Sequence, residues 1–169
     1  MSEPRLFTPL TLGPLTLRNR VIRAAAFEGM SPGGAPGEQL ITHHAEVAAG
    51  GVAMTTVAYA SVVDHGRTFE HQLWMRPEIV PGLRELTDRV HDAGAAASIQ
   101  LGHGGNMADK AVTGQRAWAP SAVFSLFGLT RPKAMTSEDI EALIQGFVNS
   151  TRLAREAGGW DLVKLEVLG

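Results

Sequence analysis

Apolar and polar positions along this chain follow two rhythms, one of about two residues and one of about 3.6. Near the start the period is two. Leu10-Thr11-Leu12 and Leu15-Thr16-Leu17 flank Gly13-Pro14, which predicts a small β-hairpin plugging one end of a larger fold. Val21-Ile22-Arg23-Ala24-Ala25-Ala26 follows as a first core strand. From Gly37 to Ala49 the period changes. Leu40, Ile41, His44, Ala45 and Ala48 fall on one helical face, and Gly50-Gly51 stops the helix. His43 and His44 are adjacent, so they point to different faces and cannot share a metal; His44 reads as a hydrogen-bonded interior residue. Val52 to Ala60 is uncharged and rich in β-branched residues, a second strand. Pro81 opens the next helix, Leu83, Leu86, Val90 and Ala93 give its buried stripe, and Gly94 ends it. The third strand runs from Ala95 to Leu101.

Residues 103–135 form a long connection, and a loop of that length inside a domain is usually functional. The clearest helix follows. Thr136 or Ser137 caps it, Glu138 and Asp139 complement its dipole, and Ile140, Leu143, Ile144, Phe147, Val148 and Thr151 form its expected buried stripe. Trp160 to Val167 is a fourth strand. A hairpin followed by βαβαβαβ demands parallel pairing and right-handed crossovers. The predicted class is α/β.

The composition narrows the functional classes. The chain has 169 residues, 44% of them hydrophobic and 19% charged, which suits a single domain over residues 1–169. A net charge of −2 gives no electrostatic case for nucleic acid or a membrane surface. There is no cysteine, hence no disulfide, thiolate nucleophile or cysteine metal site, and no metal site is expected. No signal peptide or bilayer-spanning segment is read, so the expected location is the cytoplasm and the expected partner a small-molecule substrate.

The candidate chemistry lies at the strand ends. A parallel strand covered on both faces should be nearly all apolar, yet Gln100 interrupts Ala95–Leu101 at its C-terminal end, where α/β proteins place ligands. Its amide offers both a donor and an acceptor. No G-x-G-x-x-G follows the first strand and no Walker A sequence exists, which disfavours a doubly wound nucleotide fold and leaves a (β/α) barrel. The strand ends are then Ala25-Ala26-Phe27, Ala58-Tyr59, Gln100 with His103, and Lys164 with Glu166, with the polar loop Val63 to Arg67 on the same side. The small side chains of the first strand end leave room for a flat ligand, or simply pack a crowded core.

Several motifs, in order, resemble the N-terminal half of the Old Yellow Enzyme family, the NADH:flavin oxidoreductases that bind FMN in a TIM barrel. They are Leu6-Phe7 with Leu10, Leu15-Thr16-Leu17-Arg18-Asn19-Arg20-Val21-Ile22, Gly50-Gly51, Gly66-Arg67, and Thr87-Asp88 through His91-Asp92-Ala93-Gly94. Gln100-Leu101-Gly102-His103-Gly104-Gly105, Ala119-Pro120-Ser121, Arg131 to Ile140 and Ala154 to Gly158 complete the set. The resemblance covers roughly residues 5 to 158. It implies an incomplete TIM barrel, a hairpin plus about four βα units, and hydride transfer from NAD(P)H through FMN to an activated alkene or similar acceptor. By the same resemblance, Ala25, Ala26 and Phe27 lie against the flavin. Ala58 or Tyr59 approaches its redox-active edge, and Gln100 bonds its pyrimidine ring. His103 matches a loop histidine and reads equally as a buried structural residue.

The resemblance has departures. The family usually has proline where Ala25 stands and a threonine or cysteine near Phe27. Its fourth strand carries a histidine pair, or His and Asn, followed by tyrosine, whereas this strand reads Trp160-Asp161-Leu162-Val163-Lys164-Leu165-Glu166-Val167. Alternation puts Leu162, Lys164 and Glu166 on one face. Residues 152–169 resemble thiazole synthase instead, which implies a Schiff-base lysine at Lys164 with Glu166 as acid/base partner; an interior salt bridge is the plainer reading. Four strands are half a barrel, since a complete one takes about 250 residues. A non-catalytic half-barrel that dimerises to complete its core is therefore carried as an alternative, beside a Schiff-base enzyme.

Overall fold

A computed structural model describes residues 4–126, 129–158 and, for the backbone alone, 163–167. β1 (Leu10–Leu12) and β2 (Leu15–Leu17) pair antiparallel, with Leu10 opposite Leu17 and Leu12 opposite Leu15. Gly13 takes the positive φ of 57° that the turn needs. Leu17 is buried against Ala53 and Met54, so the hairpin closes the N-terminal end of the main sheet, as its pattern predicts. Arg18 fastens it there. Its guanidinium donates to the carbonyls of Ala48, Val52 and Ala93, at the ends of two helices.

β3 is only Ile22–Arg23, shorter than the expected strand over 21–26. After Arg23 the chain leaves the sheet. α1 (Glu38–Ala49) buries Leu40, Ile41, His44 and Ala48. β4 (Met54–Ser61) and α2 (Val80–Asp92) follow, then β5 (Ala96–His103). The long connection is not a plain loop. It holds α3 (Lys110–Thr113), capped by the Asp109 carboxylate, and a short parallel pair, β6 (Trp118–Ala119) with β7 (Lys133–Ala134). α4 (Ser137–Gly158) leads to β8 (Val163–Val167).

The main sheet has the order β3-β4-β5-β8 and is parallel throughout. Helices α1, α2 and α4 cover one face. Val57, Ala97, Ile99 and Leu101 meet Leu40, Leu83, Leu86 and Val90 there, in one buried core. Among the described residues β3 and β8 each have a single sheet neighbour, so the sheet is an open, partial barrel. No helix among these residues is long and apolar enough to cross a membrane.

α4 corrects the sequence pattern. Its buried residues are Leu143, Gly146, Ser150, Ala154 and Ala157, whereas Ile140, Ile144 and Val148 are 46%, 51% and 38% exposed. Close approach explains this. A Cβ on Gly146 would stand 3.0 Å from Val63 Cγ1, and one on Gly158 would stand 2.5 Å from Thr87 Oγ1. The helix lies so near the end of β4 and α2 that only small side chains fit between them. Ile144→Ser should therefore change stability by no more than about 0.5 kcal/mol, as at an ordinary surface site. Ala154→Leu should cost about 1–3 kcal/mol through overpacking. Urea unfolding of the two variants checks the assignment, and the reverse order would restore the predicted stripe.

Candidate functional site

Strand alternation sets the site. On β5 the residues Ala97, Ile99 and Leu101 turn to the helices, so Ser98 and Gln100 belong to the opposite, inner face. There the Ser98 and Thr56 hydroxyls are 2.7 Å apart, which fixes the inner faces of β4 and β5 side by side. Higher up, Val57 pairs with Ile99 but Ala60 pairs with Leu101. Three steps on β4 match two on β5, a bulge of one residue. Ala58 and Tyr59 form that bulge and lie across from Gln100.

Gln100 is only 8% exposed, yet its amide makes no hydrogen bond among the described residues. The amide stands at the C-terminal end of a buried parallel strand, where such sheets place their ligands. The main chain of Ala25, Ala26 and Phe27 likewise has no hydrogen-bond partner among these residues. Phe27 is partly exposed and stacks on Phe69, with ring centroids 4.3 Å apart. The Ala58 N–H, by contrast, is occupied, because it donates to both oxygens of the Glu28 carboxylate at 3.1 and 3.3 Å. The Tyr59 hydroxyl lies 2.7 Å from Thr68 Oγ1, which ties the bulge to the loop above it. The carboxamide oxygen of Gln72 braces that loop by accepting from Thr68 and Phe69.

Lys164 and Glu166 occupy β8 positions in register with Gln100 and Gly102. Their side chains lie outside the described residues.

His103 is fully buried at the end of β5. The Gly105 N–H donates to its Nδ1 at 3.0 Å, which leaves the proton on Nε2, 3.4 Å from His65 Nδ1. Burial, reinforced by the neighbouring His65, pushes the His103 pKa down to about 4. Burial also lowers that of His65, whose ring lies 4.1 Å from that of Trp118. Lys133 stands over the other neighbour of this stack, 4.8 Å from the Trp118 ring, and pairs with Asp139 at 2.7 Å. His103 is thus a neutral hub joining the loops after β4 and β5 to the β6–β7 pair.

Sequence reasoning missed Glu28. Its side chain is 3% exposed, with Arg23 Nη1 at 2.9 Å and His44 Nε2 at 3.4 Å. His44 Nδ1 is 2.8 Å from Thr55 Oγ1, so this histidine is the bonded interior residue its position suggests. The available signal was a lone acid directly after an uncharged strand end. Among the described residues no group of three His, Asp or Glu side chains converges to hold a metal.

A parallel sheet covered by helices on one face, with an unpartnered polar group at its C-terminal strand ends, defines a ligand-binding barrel fold. The chain belongs to the NADH:flavin oxidoreductase / NADH oxidase family, whose pattern matches residues 5–167. It is 44% identical over 155 residues to 4,4'-dithiodibutanoate disulfide reductase of Rhodococcus erythropolis, which covers 92% of this chain and 38% of that protein. It is 34% identical over 166 residues to an NADPH dehydrogenase of Geobacillus sp. (strain WCH70), covering 96% of this chain and 48% of the relative. Morphinone reductase superposes with a TM-score of 0.86 at 25% identity, over 97% of this chain and 48% of that one. The chain therefore spans between about two fifths and one half of the length of these relatives.

The match runs through residue 167 and so takes in the segment holding Lys164 and Glu166. The resemblance of residues 152–169 to thiazole synthase is not supported, so the Schiff-base reading of Lys164 and Glu166 loses the likeness that suggested it. The family uses FMN and NAD(P)H. The chemistry of Gln100 fits a flavin ring, since an amide unpaired among the described residues offers a donor and an acceptor, and such a ring carries alternating donors and acceptors at one edge.

Proposed function

We propose that this chain forms the ring-binding wall of an FMN-dependent oxidoreductase that takes hydride from NAD(P)H and delivers it to a small activated alkene or similar acceptor. The observation that carries this reading is Gln100, its amide unpartnered among the described residues, at a strand end in register with the Ala58–Tyr59 bulge. FMN, when bound, supplies the hydride-carrying ring. Gln100 orients that ring through its donor and acceptor. Ala25 and Ala26 give it room, and the Phe27–Phe69 stack supplies an apolar wall at its margin.

Protein reconstituted with FMN should be yellow after desalting and should release flavin on denaturation. Anaerobic addition of NADPH or NADH should bleach the flavin band, and an α,β-unsaturated ketone should restore it. Colourless protein after reconstitution contradicts the reading. Flavin that binds but is never bleached supports the second one, a non-catalytic half-barrel. The exposed Ile140, Ile144 and Val148 on α4 favour this version. In it a second copy covers these surfaces, and the solution mass is that of a dimer.

A further inference from the structure

β3 stops after two residues, although the sequence would let it run on. Two side chains take its place along the edge of β4. Arg23 Nη1 donates to the Thr56 carbonyl at 2.8 Å, and the Glu28 carboxylate accepts from the Ala58 N–H. These are the groups that a longer β3 would have paired with its own main chain. Arg23 and Glu28 also bind each other, and the His44 ring lies beside the carboxylate on the α1 side with its Nε2 3.4 Å away.

Continuing the strand would have satisfied β4 with neutral peptide groups and no buried charge. The chain instead buries a carboxylate, which is tolerated only when paired and hydrogen-bonded on several sides. What this arrangement gains is the release of Ala24 to Phe27 from the sheet, with the main chain of Ala25, Ala26 and Phe27 left unpaired.

We propose that Glu28, locked by Arg23 and by the Ala58 N–H, is a positioning residue of the flavin site, a clasp that completes the β4 edge so that Ala25–Phe27 can present their main chain to the ring. The proposal rests on the FMN reading above. Glu28 does not touch the ring. It fixes the segment on one side of the site and the Ala58–Tyr59 bulge on the other.

The test compares Glu28→Ala, Glu28→Gln and Arg84→Ala in the full chain. Arg84 donates to the carbonyls of Glu156 and Ala157 and ties α2 to α4 away from the site, so its loss lowers stability without touching the clasp. Two quantities are read. One is amide hydrogen exchange at Ala58, normalised to the core amide of Ile99. The other is the dissociation constant of added FMN from fluorescence quenching. Glu28→Ala should speed Ala58 exchange and weaken FMN binding, each at least tenfold. Glu28→Gln keeps an acceptor of the same size and should recover most of both. Arg84→Ala should change neither, even at an equal loss of melting temperature. FMN affinity that follows melting temperature across all three variants overturns the proposal, as does unchanged Ala58 exchange in Glu28→Ala. If the unaltered chain binds no FMN, the flavin reading fails and the positioning role fails with it, whereas the clasp is still judged by Ala58 exchange alone.

Discussion

Gln100→Leu should weaken FMN binding by about 10- to 100-fold while leaving the ligand-free protein within about 0.5 kcal/mol of its original stability. Leucine fills nearly the same volume and makes no hydrogen bonds. The glutamine amide has no protein partner among the described residues, so removing its polar atoms breaks no hydrogen bond in the free protein. In the complex the same change strands the ring atoms that the amide would have met, which costs about 1.4–2.8 kcal/mol. A loss of affinity without a loss of stability is what a residue kept for a ligand should show. Thermal melting without flavin and a fluorescence titration with it, on the same two proteins, give both numbers. A Gln100→Leu protein that is less stable and binds FMN as well as the original would make Gln100 an ordinary core residue.

The second large effect is a pH dependence centred on His103. Its folded-state pKa is depressed to about 4 from an ordinary 6.5, chiefly by burial and then by His65. The folded protein therefore holds His103 neutral where the unfolded chain takes up a proton. The stability this represents is complete above about pH 6.5 and is lost as the pH falls towards 4, because protons then favour the unfolded state. The full loss across that window is on the order of 3 kcal/mol. His65, also lowered by burial, adds in the same direction. Carboxylates such as Asp139, whose pKa is lowered by Lys133, contribute their own losses at the acid end, so the informative quantity is a difference. His103→Asn can keep an acceptor for the Gly105 N–H and cannot be protonated. Urea unfolding between pH 7.5 and 4.5 should show the original protein losing stability more steeply than this variant. Parallel curves would mean that His103 is not held neutral.

Much of the fold was legible because it follows from local rules. The Leu-Thr-Leu repeats around Gly13-Pro14 specified the hairpin. The uncharged runs gave β4 and β5, and the 3.6-residue stripes gave α1 and α2. α4 was found, and Leu143 and Phe147 of its expected stripe do meet the core, but Ile140, Ile144 and Val148 do not. Helical periodicity marks an apolar stripe, and the stripe of Ile140, Ile144 and Val148 is real, yet the close approach to Val63 and Thr87 selects the small-residue side. Periodicity carries no information on how near a helix sits. β3 was overestimated for a related reason. Ala24 to Ala26 have an apolar pattern, but side chains from Arg23 and Glu28 take over the pairing, and no local rule announces that exchange.

At the site, Gln100 was legible because it breaks a buried apolar run, and Tyr59 because it stands at a strand end. The bulge that places Ala58 and Tyr59 across from Gln100 is a register shift between two strands, invisible in either one alone. Ala58 was expected at the flavin edge, and it does lie on the bulge, but its N–H is already committed to Glu28. Glu28 itself was missed because a single acid in a loop looks like a solvated one until its partners from β3, α1 and β4 are assembled around it. The last strand misled for the opposite reason. Lys164-Leu165-Glu166-Val167 is a short run, and short runs recur among barrel strands, whereas the family match spans the segment from end to end.

The central claim is that the strand ends of this chain recognise the ring of FMN, and an equilibrium titration tests it most directly. Protein is added to a fixed concentration of FMN and flavin fluorescence is followed. Saturable quenching that is weakened tenfold or more by Gln100→Leu is the predicted result. Fluorescence that stays flat as protein is added, or quenching that Gln100→Leu leaves untouched, would contradict it.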